Sequence, residues 1–73
     1  MTLALRFRSH DSKSTFIISW ENGEIIKRYN SSKPYRAPLA EPPASVAAFE
    51  TLCRYRFKLG MKWRCTDLVG VTS

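Results

Sequence analysis

The sequence has little of what enzymes and metalloproteins are built from. It contains one histidine, two cysteines and three isolated glycines in 73 residues. Cys53, Cys65 and His10 fall short of the four ligands that a structural zinc ion needs, and no glycine-rich phosphate loop occurs. His10 lies in a polar turn, so a catalytic pair would require distant segments to converge there. We therefore expect no enzyme, no catalytic residues, no metal and no cofactor.

Long apolar runs are also missing. The longest ones, such as residues 16–18, are far too short to span a bilayer, and the N-terminus lacks the apolar core of a signal peptide. These absences predict a cytoplasmic protein without a membrane partner. In that compartment two cysteines are thiols by default, although a disulfide between Cys53 and Cys65 stays open.

What the chain does have is positive charge on a small frame. Six acidic residues stand against twelve basic ones, which gives a formal net charge of +6 and an isoelectric point near 9.8. This charge favours a polyanionic partner, either nucleic acid or an acidic protein surface. The length predicts one small domain, residues 1–73, for which a binding surface is easier to build than a deep cleft. The size is typical of regulatory proteins of phages or mobile elements, and a homodimer stays open.

Alternating patterns predict three antiparallel strands in the first part of the chain. Residues 3–8 alternate between core-facing and largely basic positions, residues 15–20 are rich in β-branched and aromatic side chains, and residues 24–29 alternate again. The connections between them are short enough for direct pairing. We therefore expect a three-stranded antiparallel meander.

A hairpin turn sets the register of the second and third strands. Asn22 and Gly23 tolerate the positive φ angles of a type I′ turn. The turn predicts three cross-strand pairs on the core face, namely Trp20 with Ile25, Ile18 with Lys27, and Phe16 with Tyr29. The first strand adds Leu3, Leu5 and Phe7 to that face.

A proline-rich connector and one helix follow the meander. Four prolines between residues 30 and 43 predict an extended connector, because proline neither pairs within a sheet nor continues a helix. Pro42 and Pro43 suit the start of a helix, and Gly60 suits its end. The apolar face predicted for this helix consists of Val46, Phe49, Leu52, Cys53, Phe57 and Leu59.

The residues after Gly60 predict a fourth strand. Met61, Trp63 and Cys65 alternate with polar residues, and this pattern places all three toward the core. The expected fold class is α+β in the order β-β-β-α-β, with a short fourth strand and the helix packed on the sheet. One helix covers only one face of a sheet, so the other face stays uncovered.

The segment from Cys53 to Cys65 predicts a nucleic-acid surface. It carries five basic residues, three aromatic residues and no acid. Basic side chains neutralise phosphates and rings stack on bases, and both DNA and RNA stay open as partners. Periodicity assigns Phe57 and Trp63 to the core, and a merely solvated basic face is the competing interpretation. The predicted nucleic-acid-binding residues are Arg54, Tyr55, Arg56, Lys58, Lys62 and Arg64.

The uncovered sheet face supports an alternative. Arginines beside isoleucines are as typical of protein interfaces as of nucleic-acid sites. The chain would then be an inhibitor or adaptor that blocks a partner protein through this face or the sheet edge, and its charge would steer it to an acidic surface. The residues predicted for this alternative are Arg6, Arg8, Ile17, Ile26 and Arg28.

Overall fold

Five strands and one helix make up the fold in the computed structural model, which describes residues 2–29 and 33–67, except for the side chains of residues 2 and 67. The elements are β1 (Thr2–Ser9), β2 (Thr15–Glu21), β3 (Glu24–Tyr29), β4 (Tyr35–Pro38), α1 (Val46–Arg56) and β5 (Trp63–Asp67). All five strands belong to one antiparallel sheet in the order β4-β3-β2-β1-β5. The predicted α+β class, with a single helix in the described residues, is confirmed.

The hairpin between β2 and β3 has the predicted turn and register. Asn22 and Gly23 have φ angles of 47° and 79°, both positive as a type I′ turn requires. The three predicted pairs, Trp20 with Ile25, Ile18 with Lys27, and Phe16 with Tyr29, are all present. The local chemistry of two turn residues therefore determined which residues of β2 and β3 pair and share a face.

The predicted order β-β-β-α-β was wrong in one respect, because the connector contains a further strand. Residues 35–38 form β4, which pairs with β3 and places Ala37 opposite Ile25 and Arg36 opposite Ile26. Proline is tolerated here because β4 is a four-residue edge strand with Pro38 as its last residue. Residues 30–32 of the predicted connector lie outside the described residues.

The helix begins later than the two prolines predicted. Ser45 is its N-cap, and its side-chain oxygen accepts a hydrogen bond of 3.0 Å from the backbone N–H of Ala48. A serine in extended conformation satisfies a helix-terminal donor in this way, whereas proline offers no comparable side-chain acceptor. Helix α1 therefore starts at Val46.

The helix also ends before Gly60. Lys58 adopts a left-handed conformation with φ of 55°. Its backbone N–H donates to the carbonyl of Tyr55 at 3.3 Å, and the N–H of Leu59 donates to the carbonyl of Arg54 at 2.9 Å. These two bonds form a Schellman motif, a helix terminus at which glycine is the usual left-handed residue.

The core lies between α1 and one face of the sheet. Phe7, Ile18 and Phe49 are fully buried at its centre. Among the described residues, the cluster of buried side chains at this core consists of Leu3, Leu5, Phe7, Phe16, Ile18, Trp20, Ile25, Ala37, Phe49, Cys53 and Leu59. The indole N–H of Trp20 donates to the carbonyl of Leu39 at 2.8 Å, which ties the chain after β4 to the sheet.

Met61 is an exception to the predicted inward pattern. Its side chain is 83% exposed, and it lies in the turn before β5 rather than in the strand. Strand pairing starts only at Trp63, so the alternation extends to Trp63 and Cys65 but not to Met61.

In the part of the chain that the structure describes, no helix has the length and apolar character needed to cross a membrane.

Candidate functional site

Five arginines lie on the sheet face opposite α1. Paired residues of antiparallel strands project to the same face, so the register assigns each side chain to a face. One row across the sheet contains Arg6, Ile17 and Arg28, and the neighbouring rows add Arg8 with Arg64 and Ile26 with Arg36. We call the five exposed arginines of this surface the arginine face: Arg6, Arg8, Arg28, Arg36 and Arg64.

Three of these arginines form a compact group at the β1–β5 side of the sheet. Arg8 and Arg64 are direct cross-strand partners, which places their Cβ atoms about 5 Å apart. Arg6 lies two residues along β1, about 6.8 Å from Arg8 on the same face. Among the described residues none of the three has an ion-pair or hydrogen-bond partner. We call Arg6, Arg8 and Arg64 the β1–β5 arginine cluster.

The other two arginines are paired with acids near the hairpin turn. Arg28 Nη1 lies 3.4 Å from the Glu21 carboxylate and Arg36 Nη1 lies 3.3 Å from the Glu24 carboxylate. Both pairs are substantially exposed, and pairs of this kind contribute about 0–1 kcal/mol. In the part of the chain that the structure describes, the charge of the face is therefore polarised, with acids at the turn end of the sheet and a cationic group without a paired acid at the β1–β5 corner.

The isoleucines of this face are less accessible than the alternative prediction requires. Ile26 is only 2% exposed, and its cross-strand partner Ser19 is 3% exposed. The partner of Ile26 on β4 is Arg36, and long basic side chains cover apolar neighbours with their methylene stems. Ile17 is half-buried. The face therefore presents charge to a partner and little apolar surface.

Arg54 has a structural role in this fold. Its Nε donates to the Glu50 carboxylate at 2.9 Å, and its Nη1 donates to the carbonyls of Gly60 at 2.7 Å and Trp63 at 3.0 Å. The guanidinium also lies 5.5 Å from the ring centroid of Phe7. These contacts use three of the five N–H donors of the guanidinium and hold it against the fold, so we leave Arg54 out of the candidate site.

The remaining residues predicted from the Cys53–Cys65 segment divide between two surfaces. Tyr55, Arg56 and Lys58 are exposed and line an open groove of about 920 Å³ at the C-terminus of α1, together with Met61. Arg64 projects from the opposite face of the sheet, because its pairing with Arg8 places it away from the core. Helix and strand therefore do not form the single basic surface that the sequence predicted.

Lys62 lies between these two surfaces, exposed in the bend before β5. A loop contact brings the β1–β2 turn to the same region, since His10 Nε2 lies 3.1 Å from the carbonyl oxygen of Met61. In that turn the Asp11 carboxylate accepts hydrogen bonds from the Ser9 hydroxyl and the Lys13 backbone N–H. These bonds, that from Ser9 first, hold the pKa of Asp11 below its ordinary value.

The two cysteines are thiols in this fold. Cys53 is fully buried, and loss of hydration raises its pKa from 9.0 to about 12, with smaller contributions from Cys65 and Glu50. Such a thiol is a poor nucleophile, because the thiolate is the reactive form. Within residues 2–29 and 33–67, no group of three or more histidine, cysteine, aspartate and glutamate side chains is placed to hold a metal ion.

From the sequence, Arg36 was missed, and Lys27 was placed on the core face without a predicted ring contact. Arg36 belongs to the arginine face only because β4 pairs with β3, which the prolines concealed. Lys27 lies on the core face, where its Nζ is 4.7 Å from the ring centroid of Phe16 and 5.4 Å from that of Phe57. The alternation of Tyr35 to Ala37 was the available signal for Arg36, and the predicted pairing of Lys27 with Ile18 was the signal for Lys27.

Comparison of the chain with protein-family models, curated proteins and solved structures finds no match. The functional argument therefore depends on the arginine face itself.

Proposed function

We propose that this protein binds nucleic acid through the arginine face, with the β1–β5 arginine cluster as its centre. The observation that carries the proposal is the direct opposition of Arg8 and Arg64. Like charges at opposite positions of an antiparallel pair destabilise a sheet. A phosphate placed between the two guanidiniums removes that repulsion and accepts hydrogen bonds from both.

The surroundings of the cluster support a phosphate more than a protein. Protein interfaces centre on apolar or aromatic anchors, whereas the cross-strand neighbours of the cluster are Thr15, Thr66 and the half-buried Ile17. Arginine suits phosphate because its planar donors bind two oxygens at once. Lys62 adds an exposed cation in the bend before β5.

Salt dependence and matched substitutions test this function. Binding of a labelled 16-nucleotide duplex or single strand is measured by fluorescence anisotropy between 50 and 200 mM salt. The three arginines of the β1–β5 arginine cluster by themselves predict that affinity for the duplex falls at least about 40-fold over this range, and further phosphate contacts would steepen the fall. The double substitution Arg8→Gln and Arg64→Gln should weaken binding at least tenfold. The control is Arg56→Gln, an exposed arginine on α1, which should leave affinity within twofold.

Absence of binding at 50 mM salt for both probes would contradict the proposal. Equal weakening by the Arg56 substitution and the double substitution would also contradict it, because net charge rather than the arginine face would then explain the binding.

The groove at the end of α1 supports a second candidate, the docking of an acidic protein segment with an apolar anchor. Tyr55 is 85% and Met61 is 83% exposed, and they line the groove beside Arg56 and Lys58. Aromatic, methionine and arginine side chains are enriched at interfaces, and the cationic rim is complementary to acidic residues. The candidate predicts that a glutamate-rich peptide with one central leucine binds the protein in calorimetry. Tyr55→Ala should abolish that binding, and the Arg8 and Arg64 substitutions should not; the reverse pattern would contradict the candidate.

A further inference from the structure

We infer that the arginine face takes double-stranded rather than single-stranded nucleic acid, an inference that depends on the proposed function. Two independent features of the face carry it. One is the absence of any ring on the face among the described residues. The other is the arrangement of its arginines in two groups on either side of β2.

No aromatic side chain lies on the arginine face in residues 2–29 and 33–67. The residues beside its arginines on the five strands are alanine, threonine, isoleucine, serine, glutamate and proline. Every ring of the sheet has the opposite alternation and projects to the core face: Phe7, Phe16, Trp20, Tyr29, Tyr35 and Trp63. Proteins that bind single strands combine positive charge with rings on which the bases stack. This face has the charge and lacks the rings.

The exposed ring of the basic segment from Cys53 to Cys65 lies on the helix side of the sheet, away from the arginine face. Tyr55 is 85% exposed, but it belongs to α1, which packs on the opposite face of the sheet. A base stacked on Tyr55 would lie on the far side of the protein from a phosphate held by Arg8 and Arg64. A short single strand therefore cannot stack a base on Tyr55 and place a phosphate between Arg8 and Arg64 at the same time. A duplex presents phosphates without unstacked bases.

The arginines form two groups separated by β2, a strand that contributes none. Arg6 on β1 and Arg28 on β3 lie in one row with Ile17 between them. Two strand spacings place their backbones about 10 Å apart, and the outer strands β5 and β4 are about 19 Å apart. The major groove of B-DNA is about 12 Å wide, with a row of phosphates on each side. The two groups therefore match the two phosphate rows that border a groove.

The acids near the second group do not prevent this arrangement. Glu21 and Glu24 hold Arg28 and Arg36 at 3.4 and 3.3 Å, in pairs that are largely open to solvent. Exposed pairs of this length exchange partners readily. We expect Arg28 and Arg36 to turn to phosphates when the duplex is bound, and their contribution to be smaller than that of the β1–β5 arginine cluster.

The decisive experiment compares three labelled probes of the same 16-residue sequence, namely duplex DNA, duplex RNA and single-stranded DNA, at 50 mM salt. The inference predicts that at least one duplex binds tenfold or more tightly than the single strand. The affinities for duplex DNA and duplex RNA show which kind of duplex the protein binds more tightly. Equal or tighter binding of the single strand overturns the inference while leaving the proposed function intact; no binding of any probe overturns the proposed function.

A variant pair tests the two-group geometry. Replacing Arg28 and Arg36 by Gln should weaken duplex binding three- to tenfold and lower the slope of log affinity against log salt by about 2. Unchanged affinity and slope would overturn the geometry, because only one phosphate row would then be contacted. Tyr55→Ala is the control and should leave the affinity for every probe within twofold. Loss of binding in that control would place the site at the groove and overturn the inference.

Discussion

Arg8 and Arg64 lie directly opposite each other across the β1–β5 pairing. No acid of the described residues is paired with either side chain. A cross-strand pair of like charges weakens the sheet, and the proposed binding of nucleic acid would relieve that repulsion. The same opposition leads to a prediction about stability in the absence of nucleic acid.

Relief of this repulsion should stabilise the free protein. We expect Arg64→Gln to raise the free energy of unfolding by about 0.5 kcal/mol at low salt, because it removes one charge of a like pair. Urea denaturation at 20 mM and 500 mM salt measures the effect, which screening should largely abolish at the higher salt. Arg36→Gln removes one partner of an ion pair and serves as control, with no gain expected. A loss of stability in Arg64→Gln would mean that Arg64 has a favourable contact within the fold.

The left-handed residue at the end of α1 is a second point of strain. Lys58 has φ of 55°, a conformation that glycine adopts without the steric cost of a Cβ atom. We expect Lys58→Gly to raise the free energy of unfolding by about 1 kcal/mol. Thermal and urea unfolding measure this gain in the free energy of unfolding. Lys58→Ala is the control, because it removes the same charge and keeps the Cβ atom. If both variants gain equally, charge rather than conformation is responsible.

Arg54 connects the helix to the segment that leads into β5. Arg54→Gln should lower the free energy of unfolding by about 2 kcal/mol, because the carbonyls of Gly60 and Trp63 lose a charged donor. Arg56→Gln is the matched control two residues away, exposed on the same helix, and should change stability by less than about 0.5 kcal/mol. Similar values for the two variants would show that the contacts of Arg54 contribute little.

Because Cys53 is buried, the free energy of unfolding should decrease with increasing pH in the alkaline range. The folded protein raises the pKa of this thiol from 9.0 to about 12, so folding favours the protonated form. The contribution of this thiol to the free energy of unfolding is therefore fully present below pH 9. It is lost as the pH rises from 9 towards 12, by at most about 1.4 kcal/mol per pH unit. Urea titrations at pH 8, 9 and 10 measure the slope. Cys53→Ala is the control for other groups that titrate in this range, and an unchanged slope in that variant would contradict the assignment.

Local sequence patterns predicted the three-stranded meander, because its turn and the faces of its strands are set by residues close together in the sequence. The Asn22-Gly23 turn predicted a register, and the alternation in residues 3–8 together with that register predicted the core face that the structure contains. The same reasoning failed in residues 35–38, where prolines concealed a strand. An edge strand pairs on one side only, so proline costs less there than in a sheet interior.

The candidate site was harder to predict because its members are distant in sequence. Arg6, Arg28 and Arg64 come from three strands, and only the pairing of β1 with both β2 and β5 brings them together. The contiguous basic run from Cys53 to Cys65 looked like one surface, yet the sheet separates Arg64 from the helix. The total charge of a sequence window does not show that its basic residues share one surface, because a helix and a strand in that window can lie on different faces of the sheet.

By itself the sequence determined the positive charge, the hairpin turn and the alternation that separates core residues from arginines. These depend on side-chain identity and on spacing along the chain. Only the tertiary structure decided that β5 lies beside β1, that β4 joins the sheet, and that Arg8 consequently faces Arg64. The physical reason is that strand order is chosen by burial of the whole apolar face against α1, which no single segment specifies.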